Sequence, residues 1–327
     1  MEPILIIAKA SVSALGHEKD RIWSQYRSKE SALTICCFND KDTPTGKLNA
    51  ETESKILKLR KENTHYRRLD KSVLLGIMAG RQALSESKWK DLSKVGINIG
   101  SSRGATQLFE KYHRHFIESP NDRLLPIVSP TTTLGNIASW LAFDLGTQGA
   151  TLSHSITCST ALHSILNACI WIKSEMTERF IAGGSEAPLS DFTIAQMRGI
   201  GIYSKKTSDW PCSPLRNSNE TNTMVLGEGS AIFCLEKDKG QQALAKIIGL
   251  KACQFFNDQF KTNYLTLLPC NLYGPNDNYH PENSHVMASL IRKFCNAVIN
   301  NDKEVICWGS GNPMREFMHV NDLADAV

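Results

Sequence analysis

The sequence predicts an α/β protein, on two observations: short apolar runs alternate with helical stretches, and several of those runs end in glycine-rich turns. Taken in order, residues 4–8 read as a first strand and 67–85 as a helix. Residues 95–100 read as a strand that ends in Gly100-Ser101-Ser102-Arg103-Gly104. Residues 136–145 read as a second helix and 151–156 as a strand. Residues 161–175 read as a long apolar helix, and 179–182 as a strand closing on Gly183-Gly184. Strand, helix, strand is the repeating unit of a parallel sheet. Residues 32–38 form another strand-like run, in which the adjacent Cys36 and Cys37 are expected to pack. No tandem repeat, low-complexity tract or Pro/Gly-rich linker marks a domain boundary.

Composition bounds the function classes. With 327 residues, 41% hydrophobic and 21% charged, the chain can bury one large core or two moderate ones, as a globular enzyme does. The net charge of +4 is small and its Lys and Arg residues are scattered among acids, so a nucleic-acid partner is not expected. Residues 55–68, with Lys58, Arg60, Lys61 and Arg67, read as a solvated helix face or a local patch for an acidic carrier protein. Ten cysteines without a Cys-x-x-Cys spacing, and a start that runs from ten mainly apolar residues directly into Ser, His, Glu and Lys, imply reduced thiols and a cytoplasmic location. No run approaches the length of a membrane span.

The sharpest site is the turn Thr157-Cys158-Ser159-Thr160. It follows the strand at 151–156 and precedes a helix with apolar Leu162, Ile165, Leu166, Cys169, Ile170 and Ile172. A thiol at a helix start meets the positive end of the helix and its unpaired N–H groups, which favour thiolate and can hold an oxyanion. That suits acyl transfer, in which the thiolate attacks a thioester. From the turn alone, a nucleophile and a buried structural cysteine fit equally well. His154 and His163 lie near Cys158 in sequence, but their positions suit satisfied structural histidines better than a catalytic dyad.

Five segments in order resemble the β-ketoacyl-(acyl carrier protein) synthase family over residues 1–242. They are residues 100–104; Pro130-Thr131-Thr132-Thr133-Leu134-Gly135-Asn136-Ile137-Ala138; Ile156-Thr157-Cys158-Ser159-Thr160-Ala161; Ala182-Gly183-Gly184-Ser185-Glu186-Ala187; and Val225-Leu226-Gly227-Glu228-Gly229-Ser230-Ala231. The resemblance implies a thiolase-like half, layered α/β with a mixed and mainly parallel sheet, and Cys158 as nucleophile and acyl acceptor. It also implies an acyl carrier protein as partner, a possible homodimer packed along the strand beside the nucleophile, and no cofactor. Glu228 is read as a brace for its loop, and Thr132, Thr133 and Asn136 as capping and packing residues. Residues 210–224 depart from the family pattern. The two downstream histidines that the family uses for decarboxylative condensation, and its Gly-Phe-Gly-Gly loop, are missing from the sequence.

Residues 243–327 resemble a second family, GDP-L-fucose synthase, an extended short-chain dehydrogenase. The resemblance rests on residues 243–251, 269–286 and 308–317. It implies NADPH as cofactor, a catalytic helix at 243–251 carrying Lys246, His285 as general acid of epimerisation, and Arg315 as a ligand of the nucleotide-sugar pyrophosphate. The catalytic tyrosine of that family would stand four residues before Lys246, where this chain has Gln242, and glutamine has no phenolic proton to donate. No Gly-x-x-Gly-x-x-Gly follows the first strand. The expected whole is a chimera of two incomplete enzymes, with uncovered sheet edges and apolar faces and low solubility. Three functions stay open: an acyltransferase of the ketosynthase type, with condensation if competent; a nucleotide-sugar epimerase/reductase; and an inactive product.

Overall fold

The computed structural model describes residues 4–28, 30–207, 210–213, 222–247, 271–273, 286–307 and 317–319. The chain divides into two compact units, Met1–Ile247 and Ile248–Val327. The first unit begins with β1 (Ile4–Val12), α1 (Lys19–Arg27), the hairpin β2 (Thr34–Phe38) and β3 (Lys41–Thr45), and α2 (Ala50–Glu62). It continues with α3 (Lys71–Ser87), β4 (Gly96–Gly100), α4 (Thr106–Glu118), α5 (Val128–Thr132), α6 (Asn136–Leu145) and β5 (Thr151–Leu152). It ends with α7 (Thr160–Lys173), β6 (Arg179–Glu186), α8 (Asp191–Gly199), β7 (Gly229–Lys237) and β8 (Ala245–Ile247). Short 3-10 turns at Thr64–Arg68 and Thr157–Ser159 precede α3 and α7. In the second unit, β9 (Asn271–Tyr273) and β10 (Phe317–His319) pair in parallel, and α9 (Val286–Asn300) lies between them in sequence.

The main sheet has the order β5-β4-β6-β7-β1-β8. It is parallel only across β5, β4 and β6; β7 runs antiparallel to β6, and β1 runs antiparallel to both β7 and β8. Side chains alternate across this sheet with the period of two that a strand imposes. Along β6, Phe180 and Ala182 pack with Ala168, Cys169 and Ile172 of α7, whereas Ile181 joins the cluster that holds Val73, Leu74 and Ile77 of α3. The sheet therefore carries α3 on one face and α7 on the other. Both α3 and the strands it covers are apolar on nearly all sides, and each fully buried leucine such as Leu74 contributes about 1.5–3 kcal/mol.

Several elements differ from the sequence reading. The helix expected at 67–85 starts later, because Asp70 caps it: its Oδ1 accepts the Ser72 N–H at 2.9 Å. Its Oδ2 accepts the Leu108 N–H at 3.0 Å, which ties α3 to α4. The strand expected at 151–156 stops at Leu152, since Ser153 Oγ donates to the carbonyls of Ile99 and Leu134 and the chain turns out of the ladder. Cys37 is exposed and Cys36 half-buried, so neither is the packed core residue expected. The helix expected at 243–251 is overturned for its described part: residues 245–247 form β8, an edge strand in which Lys246 stands opposite Leu5. An extended backbone there satisfies the open edge of β1, and that demand overrides helix propensity. Among the described residues no helix is long and apolar enough to cross a membrane.

Candidate active site

Cys158 lies in the 3-10 turn between the sheet and α7 and is exposed. Two hydroxyls converge on the carbonyl just before it: Ser102 Oγ and Thr160 Oγ1 each donate to Thr157 O at 2.6 Å. Thr160 Oγ1 also accepts the Ile156 N–H at 2.8 Å. These bonds hold Thr157 at φ +50°, a left-handed conformation that opposes a β-branched side chain. Strain of this kind, on the order of 1–3 kcal/mol, persists only where the surroundings over-determine the backbone. Ser159 precedes α7 without giving it a side-chain cap; its hydroxyl donates to Ile156 O at 3.1 Å instead. The N-terminal end of α7 thus keeps its positive field for the thiol next to it.

Two glycines let α7 come so close. A Cβ on Gly100, at the end of β4, would stand 2.5 Å from Thr160 Cγ2 and 2.8 Å from Thr160 O, and one on Gly184 would meet Ala161 Cβ at 2.7 Å. With hydrogen in both places, the helix start sits directly on the ends of β4 and β6. The resulting cavity, about 350 Å³, is lined by Cys158, Thr157, Ser102, Ser185, Glu186 and neighbouring small residues.

Glu186, which sequence reasoning placed only inside a motif, is the other titratable group of this cavity. It ends β6, and its carboxylate accepts the Ser102 N–H. Its Oε2 is shut off from solvent, and the Ser101 hydroxyl and the Arg103 N–H lie close enough to stabilise the carboxylate. Burial pushes its pKa above the ordinary glutamate range, against the opposing pull of the Ser102 and Arg103 N–H groups and the Ser101 and Ser102 hydroxyls. The signal for it in the sequence was an acid closing an apolar strand two residues after a Gly-Gly pair.

The other predicted residues fall into place differently. Glu228 Oε1 accepts the Leu48 N–H at 3.1 Å and a proton of Lys71 Nζ at 2.6 Å, which makes it a brace between distant segments. Thr132 Oγ1 donates to Val128 O and Thr133 Oγ1 to Pro130 O, both within their own short helix, while Asn136 Nδ2 donates to Thr131 O. His163 Nδ1 lies 3.1 Å from Ser159 O, a local bond along its helix. His154 departs from expectation, because its Nε2 is buried without a partner among the described residues. Neither histidine lines the Cys158 cavity. His285 and Arg315 lie outside the described residues, and Lys246 is placed by its backbone alone. Among the described residues β1 offers NADPH no fitting cradle: it closes on a turn between Ser13 and Gly16 and has antiparallel neighbours on both sides, whereas a dinucleotide site needs a glycine-rich turn inside a parallel βαβ unit.

Comparison with known proteins matches this geometry. The family described as "Beta-ketoacyl synthase, N-terminal domain" matches residues 1–240, and the family described as "NAD dependent epimerase/dehydratase family" matches residues 237–327. GDP-L-fucose synthase 1 of Arabidopsis thaliana is 52% identical over 92 residues, 28% of this chain and 28% of that protein. The 3-oxoacyl-[acyl-carrier-protein] synthase 2 of Vibrio cholerae is 28% identical over 192 residues, 56% of this chain and 46% of that protein. This chain thus spans about a quarter of the first relative and about half of the second. Among solved structures, a type II polyketide ketosynthase in complex with its acyl-carrier protein superposes with a TM-score of 0.62 at 16% identity, over 76% of this chain and 62% of that one. The first unit therefore has the thiolase-like ketosynthase fold, and residues 237–327 carry a piece similar to epimerases. With 1–240 matched end to end, the chain belongs to the β-ketoacyl synthase family.

Proposed function

We propose that this protein is an acyltransferase of the β-ketoacyl synthase type, which takes an acyl group from a carrier thioester onto Cys158. The observation that carries the reading is the exposed thiol on a strained turn at the uncapped start of α7, inside a cavity open to an acyl chain. The sulfur attacks the thioester carbonyl, the α7 end stabilises the tetrahedral oxyanion, and the carrier thiol departs. Decarboxylative condensation would follow where the two histidines absent from residues 1–242 are supplied. An acyl carrier protein is the proposed donor. In support, a ketosynthase with the same fold is held by its acyl-carrier protein, and Lys58, Lys61 and Arg67 lie exposed on α2 and the turn after it. A homodimer along β5, an edge strand beside the nucleophile, and a cytoplasmic location complete the proposal.

The test is to incubate the chain with acyl-carrier and acyl-coenzyme A thioesters and weigh it. A mass increase that disappears in Cys158→Ala supports the reading, and no increase in either protein sinks it.

The second reading, a nucleotide-sugar epimerase/reductase resting on Lys246, His285 and Arg315, is favoured by the 52% identity of the C-terminal stretch to a GDP-L-fucose synthase. Gln242 in place of the tyrosine and the extended backbone at Lys246 weigh against it. Tight NADPH binding in a fluorescence titration would restore it. We further propose that residues 1–242 and 243–327 descend from the two families separately; a single DNA read across the codons for 225–269 of the source gene tests that junction.

A further inference from the structure

We propose that His17, Glu18 and Glu51 form a zinc site, in which the metal takes the place now held by the Lys55 ammonium and staples the start of α1 to the first turns of α2. His17 and Glu18 are the two residues before α1, and Glu51 and Lys55 stand one turn apart on α2. Lys55 Nζ lies 2.6 Å from His17 Nε2, 3.3 Å from Glu18 Oε1 and 3.7 Å from Glu51 Oε1. Three donor atoms from two separate segments thus converge on one cation, all within 4.8 Å of one another. Donors around a tetrahedral zinc ion stand about 3.4 Å apart, so shifts of about 1 Å bring these three into its coordination sphere, with water in the fourth position.

Each ligand is presented in the form a metal needs. An ammonium group has donors only, so Nε2 of His17 is the acceptor of the 2.6 Å bond and carries no proton. The ring proton is then on Nδ1, which donates to Thr52 Oγ1 at 3.0 Å. A bond of that kind fixes the tautomer and orientation of a metal-ligating histidine, and burial of His17 fixes its aim further. Glu51 is held in the same manner: Arg21 Nη1 donates to Oε2 and leaves Oε1 turned toward Lys55. Glu18, the residue that precedes α1, gives its helix no side-chain cap, and its carboxylate faces the site instead. An imidazole with two carboxylates suits zinc, whereas calcium and magnesium favour oxygen ligands alone.

Lys55 is the member that yields. Its side chain is long and partly in solvent, and exposed ion pairs of its kind are weak, so a divalent ion that doubles the positive charge between two carboxylates displaces it. The staple also has something to hold, because α1 contains no buried residue and exposes both Trp23 and Tyr26. A helix so little anchored by packing opens readily unless its polar contacts are reinforced.

The experiment uses the full chain, reduced and stripped with EDTA, then titrated with zinc against a chromogenic chelator while native mass spectrometry counts the bound ions. Wild type is expected to hold one zinc ion that the double variant Glu18→Gln, Glu51→Gln lacks, the ten cysteines being common to both. Lys55→Met, which removes the competing ammonium, is expected to bind that ion at least about tenfold more tightly, a gain that adventitious binding to thiols does not show. Zinc is also expected to slow tryptic cleavage within α1 of wild type, and magnesium to leave it unchanged. A wild type that binds no zinc, or that binds it no better than the double variant, overturns the site. Equal zinc affinity of Lys55→Met and wild type overturns the exchange with Lys55, and this comparison stands by itself should circular dichroism show the double variant to be unfolded.

Discussion

Glu228 and Lys71 form a buried ion pair whose partners come from opposite ends of the first unit. The glutamate side chain is 2% exposed and the lysine 11%, and Lys71 also reaches Glu53 at 2.5 Å. Replacing Glu228 by alanine leaves the Leu48 N–H without its acceptor and Lys71 with one carboxylate in place of two. A loss of about 3 kcal/mol is expected in urea unfolding, with a smaller loss for Glu228→Gln, which keeps an acceptor. The bracing role was legible in Gly227-Glu228-Gly229, because an acid between two glycines has little else to do in a tight turn. Its partners were not, since nothing local links position 228 to 48 or 71. Glu186 ties stability to pH. Folding raises its pKa above the ordinary 4.5, so the folded chain keeps that proton to higher pH than the unfolded chain does. Its contribution to stability is therefore present on the acid side and falls as pH climbs through the raised value. Glu186→Gln, which has no proton to lose, is expected to match wild type at acid pH and to be the more stable of the two at neutral pH; paired urea titrations at the two pH values check the sign.

At the scale of elements, α7 and its seat on β4 and β6 explain both the accuracy and the errors of the sequence reading. The 3.6-residue apolar pattern identified the helix, and the runs ending in Gly100 and Gly184 identified the strands. The face was harder. Ala168, Cys169 and Ile172 enter the core, while Leu162, Leu166 and Ile170 point outward, 52–72% exposed. A helix apolar on both sides gives no amphipathic cue to choose between them. The strand before the turn was read four residues too long, because Ser153 and the left-handed Thr157 break it through contacts that β propensity does not record. Gly100→Ala places a methyl against Thr160 and is expected to cost about 1–3 kcal/mol and to slow iodoacetamide alkylation of Cys158 relative to exposed Cys37, a comparison made within one sample by peptide mass analysis.

At the scale of the whole molecule, Leu162, Leu166 and Ile170 of α7 are exposed, and so are Phe109, Phe116 and Ile117 of α4, a helix without one buried residue. Apolar surface of this extent promotes association. Light scattering is expected to rise with protein concentration and to fall in Leu166→Lys, with the unfolding midpoint little changed because that side chain is already half in solvent. The family likeness changes near residue 240 whereas the compact units divide between Ile247 and Ile248, so β8, whose residues were expected in a helix of the second family, lies in the first unit.

β8 bears on the join proposed above. The family matches meet at residues 237–240, where β7 ends, and the next described element, Ala245–Ile247, is spelled by the other family yet hydrogen-bonds to β1. An edge position asks its occupant for main-chain donors and acceptors in extended form and for almost nothing in side chains. If the two parts descend separately, as proposed above, a breakpoint just after β7 leaves an edge position that a strand of other origin can fill through its main chain alone, which would make sheet borders permissive places for such exchange.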